Sequence, residues 1–283
     1  MEMSDIHNRV AGKTIVVTGA ASGFGRLVCE KTAALGAAVV CADVDEEGVR
    51  ATADAIESAG GQVEAAVTDV RDLEQMKALA NRAVERFGCI DVMINNAGIM
   101  PLAFYADHAN AAAAWERCID INIKGVMNGI IAVYDQMIAQ GRGHVVNLSS
   151  IYGNHPVAGA AVYGASKAAV NFLSEALRVE SQGRIKVTNV KPTGVPATGL
   201  GSGVVNQEAI IGILGQNAPA YLQQMQAHMS GELPAEASDV ENIEYYALAP
   251  EHLADQIVFA IDQPWGVSIA DITVRAAGDA YIL

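Results

Sequence analysis

Thr14-Ile15-Val16-Val17-Thr18-Gly19-Ala20-Ala21-Ser22-Gly23-Phe24-Gly25 is the stretch on which the fold turns. Its apolar, β-branched start reads as a buried strand, and the residues after the glycines, through Leu35 and closed by Gly36, read as a helix. Strand, glycine turn, helix is the context of a phosphate cradle: glycines let the backbone approach an anion, and the helix N-terminus supplies N–H donors and partial positive charge. The spacing is G-x-x-x-G-x-G, which departs from the common G-x-G-x-x-G, and a glycine-rich turn without a ligand would look the same. Asp43 tips the balance, because it closes the apolar run Ala37 to Ala42. An acid at the end of a second strand, roughly 20 residues after the glycines, is placed to bind ribose hydroxyls.

Working outward, short apolar runs alternate with longer amphipathic ones. Strands are expected near 13–18, 37–42, 63–68, 90–95, 143–149, 185–190 and 270–275, with helices between them. That rhythm implies an α/β fold, a doubly wound parallel sheet with helices on both faces. A chain of 283 residues with 51% hydrophobic content can build one such unit, so 1–283 is expected to be a single domain. The segment at about 198–250 is long, glycine-punctuated and weakly periodic, and reads as an insertion.

A second pattern is Tyr163-Gly164-Ala165-Ser166-Lys167, with Ser150 thirteen residues ahead of the tyrosine. A phenol and an ammonium four residues apart share a helix face. Opposite charge nearby favours the ionised phenol, so Lys167 is expected to lower the pKa of Tyr163 and fit it for proton transfer. A Tyr-x-x-x-Lys pair is also a common surface arrangement, and only its company elsewhere in the chain raises it above that.

With these residues in hand, the chain resembles the short-chain dehydrogenase/reductase family in its single-domain form, nearly end to end. The family's T-G-x-x-x-G-x-G falls on Thr18 to Gly25, its Asp-Val on Asp69-Val70 and its N-N-A-G on Asn95 to Gly98. Its catalytic asparagine falls on Asn122, its serine on Ser150, and its tyrosine and lysine on Tyr163 and Lys167. Ser149 is a decoy, because the spacing to the tyrosine selects Ser150. The resemblance implies a Rossmann fold of seven strands in the order 3-2-1-4-5-6-7, with the ligand cleft at the strands' carboxyl ends. It implies a nicotinamide dinucleotide cofactor held by Gly19, Ser22, Gly23, Phe24 and Gly25 at the phosphates, Asp43 and Val44 at the adenine-side ribose, and Asp69 and Val70 at the adenine. Asn96, Ala97 and Gly98 would line it through the backbone, with Tyr163 and Lys167 at the nicotinamide ribose. Substrate would meet Ser150 and Tyr163, and Asn122 would interrupt its helix and order a water for the proton.

One motif departs from the family. In place of P-G-x-V-x-T the chain reads Pro192-Thr193-Gly194-Val195-Pro196-Ala197-Thr198. Pro192, Gly194 and Val195 are still expected at the nicotinamide, and the choice between Thr198 and Thr193 for its carboxamide stays open. Asp43 would repel a 2′-phosphate, Val44 brings no cation, and Ser22 stands where NADP users of the family often carry Arg or Lys. NAD is therefore the expected cofactor. Arg26, the nearby cation, is expected to point along its helix.

Composition sets outer bounds. A net charge of −14 argues against nucleic acid. No apolar run reaches the ~18 residues of a membrane span, and the polar lead Met1 to Gly12 does not read as a signal peptide, so a cytoplasmic protein is expected. Cys29, Cys41, Cys89 and Cys118 lack metal or redox spacing, as do the six histidines, so no metal is expected. Between Lys191 and Arg275 there is no cation, which suits neither a phosphorylated nor a coenzyme A substrate. The expected activity is oxidation and reduction between an uncharged, fairly hydrophobic secondary alcohol and its ketone. Residues 200–246 would be an apolar lid, with Met100, Leu102, Tyr152 and His155 as the facing wall. The same apolar set could instead pack a subunit interface, since members of this family commonly form tetramers; a homo-oligomer, tetramer or dimer, is expected either way. The competing function is a cofactor-binding regulator or scaffold that has lost turnover, and the four intact residues weigh against it. A sugar-nucleotide epimerase is disfavoured by the glycine spacing and by the lack of a larger carboxy-terminal domain.

Overall fold

In this computed structural model, residues 8–195 and 198–282 are described. Pro196 and Ala197, two of the altered positions of the nicotinamide motif, and most of the polar lead lie outside them. The chain runs β1 (Thr14–Thr18), α1 (Gly23–Ala34), β2 (Ala38–Asp43), α2 (Glu46–Ser58), β3 (Gln62–Val67), α3 (Leu73–Phe87) and β4 (Val92–Asn95). It continues with α4 (His108–Ile119), α5 (Gly125–Gln140), β5 (Gly143–Leu148), α6 (Ala161–Glu180) and β6 (Ile185–Pro192). After β6 come the short α7 (Ile211–Leu214), α8 (Ala218–Ser230), α9 (Ala235–Ser238), then α10 (Pro250–Ile261) and β7 (Asp271–Val274). The strands form one parallel sheet in the order β3-β2-β1-β4-β5-β6-β7, as expected.

Burial explains why the strands read so plainly. Every residue of β1, β4 and β5 is buried, because helices cover both faces of a parallel sheet. One layer packs α1, α2 and α10 on the sheet through Val28, Ile56, Leu253 and Ile257. The opposite layer packs α3, α5 and α6 through Met76, Leu79, Val133, Met137 and Leu177.

A polar ladder crosses this second layer. Asn95 on β4 donates to Asn147 Oδ1 at 2.8 Å, and Asn147 on β5 donates to Ser174 Oγ of α6 at 2.7 Å. These groups are buried, so the ladder ties α6 to one sheet register, with Asn95 Oδ1 itself left without a hydrogen-bond partner among the described residues. Gly129 of α5 lies directly over the Asn95 amide, where a Cβ would collide with Oδ1. Gly129→Ala should therefore lower stability by about 1–3 kcal/mol, read as an earlier midpoint in urea unfolding, through overpacking in the second layer.

Candidate functional site

The glycine turn is built by close approach. Gly19 has φ +69, and a Cβ there would meet Asn96 Nδ2 at 2.7 Å. Asn96 Nδ2 donates to the carbonyls of Thr18 at 2.9 Å and Gly19 at 3.0 Å, which fastens the turn to the end of β4. Thr18 Oγ1 accepts from Asn96 N and Ala97 N at 3.1 and 3.3 Å and tightens the same junction. Asp43 works from the other side: one carboxylate oxygen accepts from Ala21 N at 3.0 Å and the other from Asp45 N at 3.1 Å.

The N-terminus of α1 is left open. Its flanking Ser22 makes no side-chain cap and its first turn carries no acid. By contrast Asp45 caps α2 and Asp72 caps α3, each followed by acids in the first turn. The unspent donors of α1, with a glycine on each side, fit a dinucleotide pyrophosphate.

A cleft of about 660 Å3 runs from this turn along the carboxyl edge of the sheet. Gly19, Ser22, Gly23, Phe24, Asp43, Val44, Asp69, Val70, Asn96, Ala97, Gly98, Tyr163, Lys167, Pro192 and Thr198 line it. Thr193 instead turns towards β7, its hydroxyl donating to Val274 O at 3.4 Å. Arg71 and Arg117 also border the cleft, and sequence reasoning passed over both. Arg71 follows Asp69-Val70 directly, so its place was legible in principle, and it is held by Asp69 through Nε at 2.9 Å and Nη2 at 2.5 Å. Arg26 points along α1 to Glu30 at 2.8 Å.

Three elements converge further along. Between α4 and α5 the chain makes one wide turn, Asp120–Lys124, in which Gly125 N–H reaches back to Asp120 O, five residues earlier. Asn122, fully buried in that turn, accepts from Ile99 N at 3.0 Å and donates to Ile99 O at 2.9 Å and to Ser166 Oγ at 3.1 Å. Wide turns of this kind recur at functional sites, and the interruption expected at Asn122 takes this form.

Tyr163 and Lys167 lie one turn apart on α6 and both are buried. Lys167 Nζ donates to Leu148 O at 2.7 Å and sits 5.8 Å from the Tyr163 ring centroid. Desolvation pulls the Lys167 pKa down to about 8. The expectation for the tyrosine is overturned: burial pushes its pKa above the ordinary phenol value, and the Ser150 hydroxyl offsets this only in part. Lys167, itself held at the β5 carbonyl, does not reverse the desolvation. Ser150 Oγ also accepts from Tyr152 N at 3.3 Å. Ser149 is spent structurally, donating to Asn171 Oδ1 at 2.6 Å and to Lys167 O at 3.2 Å.

The expected substrate wall divides. Leu102 is fully buried, Met100 is half-buried and close to Gly203, and Tyr152 packs edge-on against Tyr163 with centroids 5.4 Å apart. His155 is exposed and, together with Tyr152, lines a second depression of about 650 Å3 beside α6. Much of the expected lid faces inward: Ala209, Ile213, Leu214 and Tyr221 are buried against Leu102, Ile151 and Tyr152, while Val205, Ile211 and Leu222 are exposed.

A sequence model described as short chain dehydrogenase matches residues 13–209. The chain belongs to that family. An uncharacterized oxidoreductase of Listeria monocytogenes is 34% identical over 266 residues, covering 94% of this chain and 96% of the relative. A short chain dehydrogenase/reductase from Burkholderia phymatum, solved with NAD, superposes with a TM-score of 0.72 at 30% identity, covering 94% and 89% of the two chains. A metagenomic short-chain oxidoreductase solved with NADP gives 0.71 at 28% identity, covering 94% and 98%. This short-chain dehydrogenase is thus an oxidoreductase whose structural neighbours take either nicotinamide dinucleotide.

The buried lysine has a thermodynamic signature. Its folded pKa is lowered from 10.5 to about 8, so its charge opposes folding at neutral pH, and that penalty disappears as pH rises from about 8 towards 10.5. The stability of the wild type relative to Lys167→Met should therefore rise between pH 8 and 10, measured by urea unfolding at each pH. A flat difference would mean that Lys167 is not buried as described.

Proposed function

We propose that this short-chain dehydrogenase is an NAD(H)-dependent alcohol dehydrogenase and ketoreductase, acting on an uncharged, fairly hydrophobic secondary alcohol and its ketone. The observation that carries the reading is the meeting of four groups behind a cleft that begins at an open helix N-terminus: Tyr163 and Lys167 face the cleft, and Ser150 and Asn122 are buried beside them. When bound, the nicotinamide would supply or accept the hydride.

The chain's own groups carry the proton and the positioning. Burial keeps Tyr163 protonated at neutral pH, so the phenol is ready to donate to a carbonyl oxygen as the carbinol forms. In the other direction it must accept the carbinol proton, and Ser150 is the neighbour that eases the ionised phenol. Ser150 would also orient the substrate oxygen, the positioning contribution on which such a reaction depends. Lys167 has one donor on Leu148 O, which leaves two for ribose hydroxyls on the cleft side. Asn122 spends its side chain on Ile99 and Ser166, so its part is to hold the wide turn and the β4 loop in place for a relay water.

Asp43 at the cleft supports NAD over NADP, because a carboxylate there opposes a 2′-phosphate. Arg71 would not reverse this, since Asp69 already engages its guanidinium. Gly194 and Val195 lie in the segment between Pro192 and Thr198, which are among its described residues the two that border the cleft, and Thr198 is the better carboxamide partner than Thr193. We read residues 1–283 as one unit in which 198–250 covers the site.

Exposed Met127, Ile131, Phe172 and Val179 on α5 and α6 support a homo-oligomer, a dimer or tetramer. Among the described residues no helix is long and apolar enough to cross a membrane, and the four cysteines are free, which supports a cytoplasmic setting.

Tyr163→Phe should lower kcat by about 10²–10⁴-fold while leaving NADH affinity within a few-fold, followed by nicotinamide absorbance and fluorescence titration. Activity close to wild type would remove Tyr163 from the proton transfer. The ratio of kcat/KM for NAD over NADP should exceed one and should shrink in Asp43→Ser; a wild type that prefers NADP would overturn the cofactor assignment.

A further inference from the structure

The substrate end of the site is closed by aromatic side chains, and one of them comes from the segment after β7. Tyr281 lies against Gly194 so closely that a Cβ on the glycine would fall within its hydroxyl and ring edge. Its hydroxyl is 3.2 Å from that of Tyr221, with ring centroids 5.7 Å apart, and the ring joins the buried cluster that contains Tyr152 and Tyr163.

The segment that carries it is tied down at several points. Ile282 N donates to Ile213 O at 3.1 Å, and Asn217 Nδ2 to Ala280 O at 2.9 Å. Gly278 N donates to Tyr245 O at 2.9 Å, and Arg275 holds Asp279 at 2.5 Å and Tyr281 O at 2.7 Å. The ring is thus placed by two supports, the 211–246 layer on one side and Arg275, just after β7, on the other.

Its position relative to the reacting groups gives it a consequence. The open cleft is bordered by Tyr163 and Lys167 but not by Ser150, Tyr152 or Gly194. Behind the phenol, Tyr152, Tyr221 and Tyr281 pack into one aromatic cluster with Tyr163. A substrate that puts its oxygen against Ser150 and Tyr163 would meet the aromatic cluster that Tyr152 and Tyr281 share, beside Gly194.

We propose that Tyr281 is a specificity-determining residue, whose ring against Gly194 limits the size of the group carried on the reacting carbon and so selects compact ketones and alcohols over polycyclic ones. This rests on the alcohol–ketone reading above. It reaches beyond that reading in assigning the size limit to a residue outside the family's motifs. The ring sets the limit and the hydroxyl only anchors the ring on Tyr221, so removing the ring opens the site whereas removing the oxygen leaves the limit in place.

The test is calorimetric binding of cyclohexanone and trans-1-decalone to the full chain saturated with NAD+, which has no hydride to give a ketone. The wild type should bind cyclohexanone more tightly than decalone. In Tyr281→Ala the ratio of the two dissociation constants should shift towards decalone by at least about tenfold, the discrimination that a few methylenes command in an apolar pocket. Tyr281→Leu provides the same comparison should the alanine variant fail to fold, and Tyr281→Phe should keep the wild-type order. An unchanged ratio in the folded alanine or leucine variant would overturn the proposal and leave Tyr281 as packing for the layer beneath it. So would the absence of ketone binding in every variant. Failure of the wild type to oxidise NADH with either ketone would instead sink the alcohol–ketone reading, while the binding ratio still decides the role of Tyr281.

Discussion

An ammonium group buried in a protein wall must have its hydrogens directed somewhere, and the site is arranged around that demand at Lys167. Its Nζ is anchored on the carbonyl of Leu148, the last residue of β5, which fixes the rotation of α6 over the sheet. That rotation in turn sets Tyr163 beside Ser150 and brings Ser166 to Asn122. Without the anchor, a charge with its pKa pulled to about 8 would have no reason to stay inside, and the tyrosine one turn away would lose its position.

The polar ladder from Asn95 through Asn147 to Ser174 serves the same end from deeper in the molecule. Parallel sheets with apolar strands slide at little energetic cost in side-chain identity, since valine against valine looks much alike in neighbouring registers. An amide that must meet an amide does not slide. Asn95 and Asn147 face one another across β4 and β5, and Ser174 continues the contact into α6. The register of the sheet is thereby passed to the helix that carries the reactive pair.

Much of this was legible in the chain because the central strands β1 and β4 are short, apolar and buried on both faces, whereas the edge strands β3 and β7 are partly exposed. The glycine turn and Asp43 were legible because backbone approach and an acid at a strand end leave distinctive residues behind. The order of the strands came from family resemblance, since periodicity contains no information about which strand lies beside which. The pKa of Tyr163 was misjudged for a physical reason: spacing shows that Lys167 is near, but it does not show how completely both groups are removed from water. His155 was misplaced because proximity in sequence to Ser150 says nothing about the one-turn excursion at Ile151–Gly153 that turns it outward. Arg71 was overlooked although it adjoins a motif, because its partner Asp69 lies two residues back and only the folded turn brings the two together.

The wide turn at Asp120–Lys124 sets a constraint on the length of the chain. It contains one residue more than a regular helix needs, and everything after it on α5 is rotated by about 100° relative to a helix without the insertion. That rotation is what turns Gly129 towards Asn95 on the sheet. Loss of a single residue here would not merely shorten a turn; it would swing a whole helix face away from the sheet and dismantle the second layer. Length in this stretch is therefore fixed by packing as firmly as residue identity, and a chain one residue shorter here would need a different way of packing the helix.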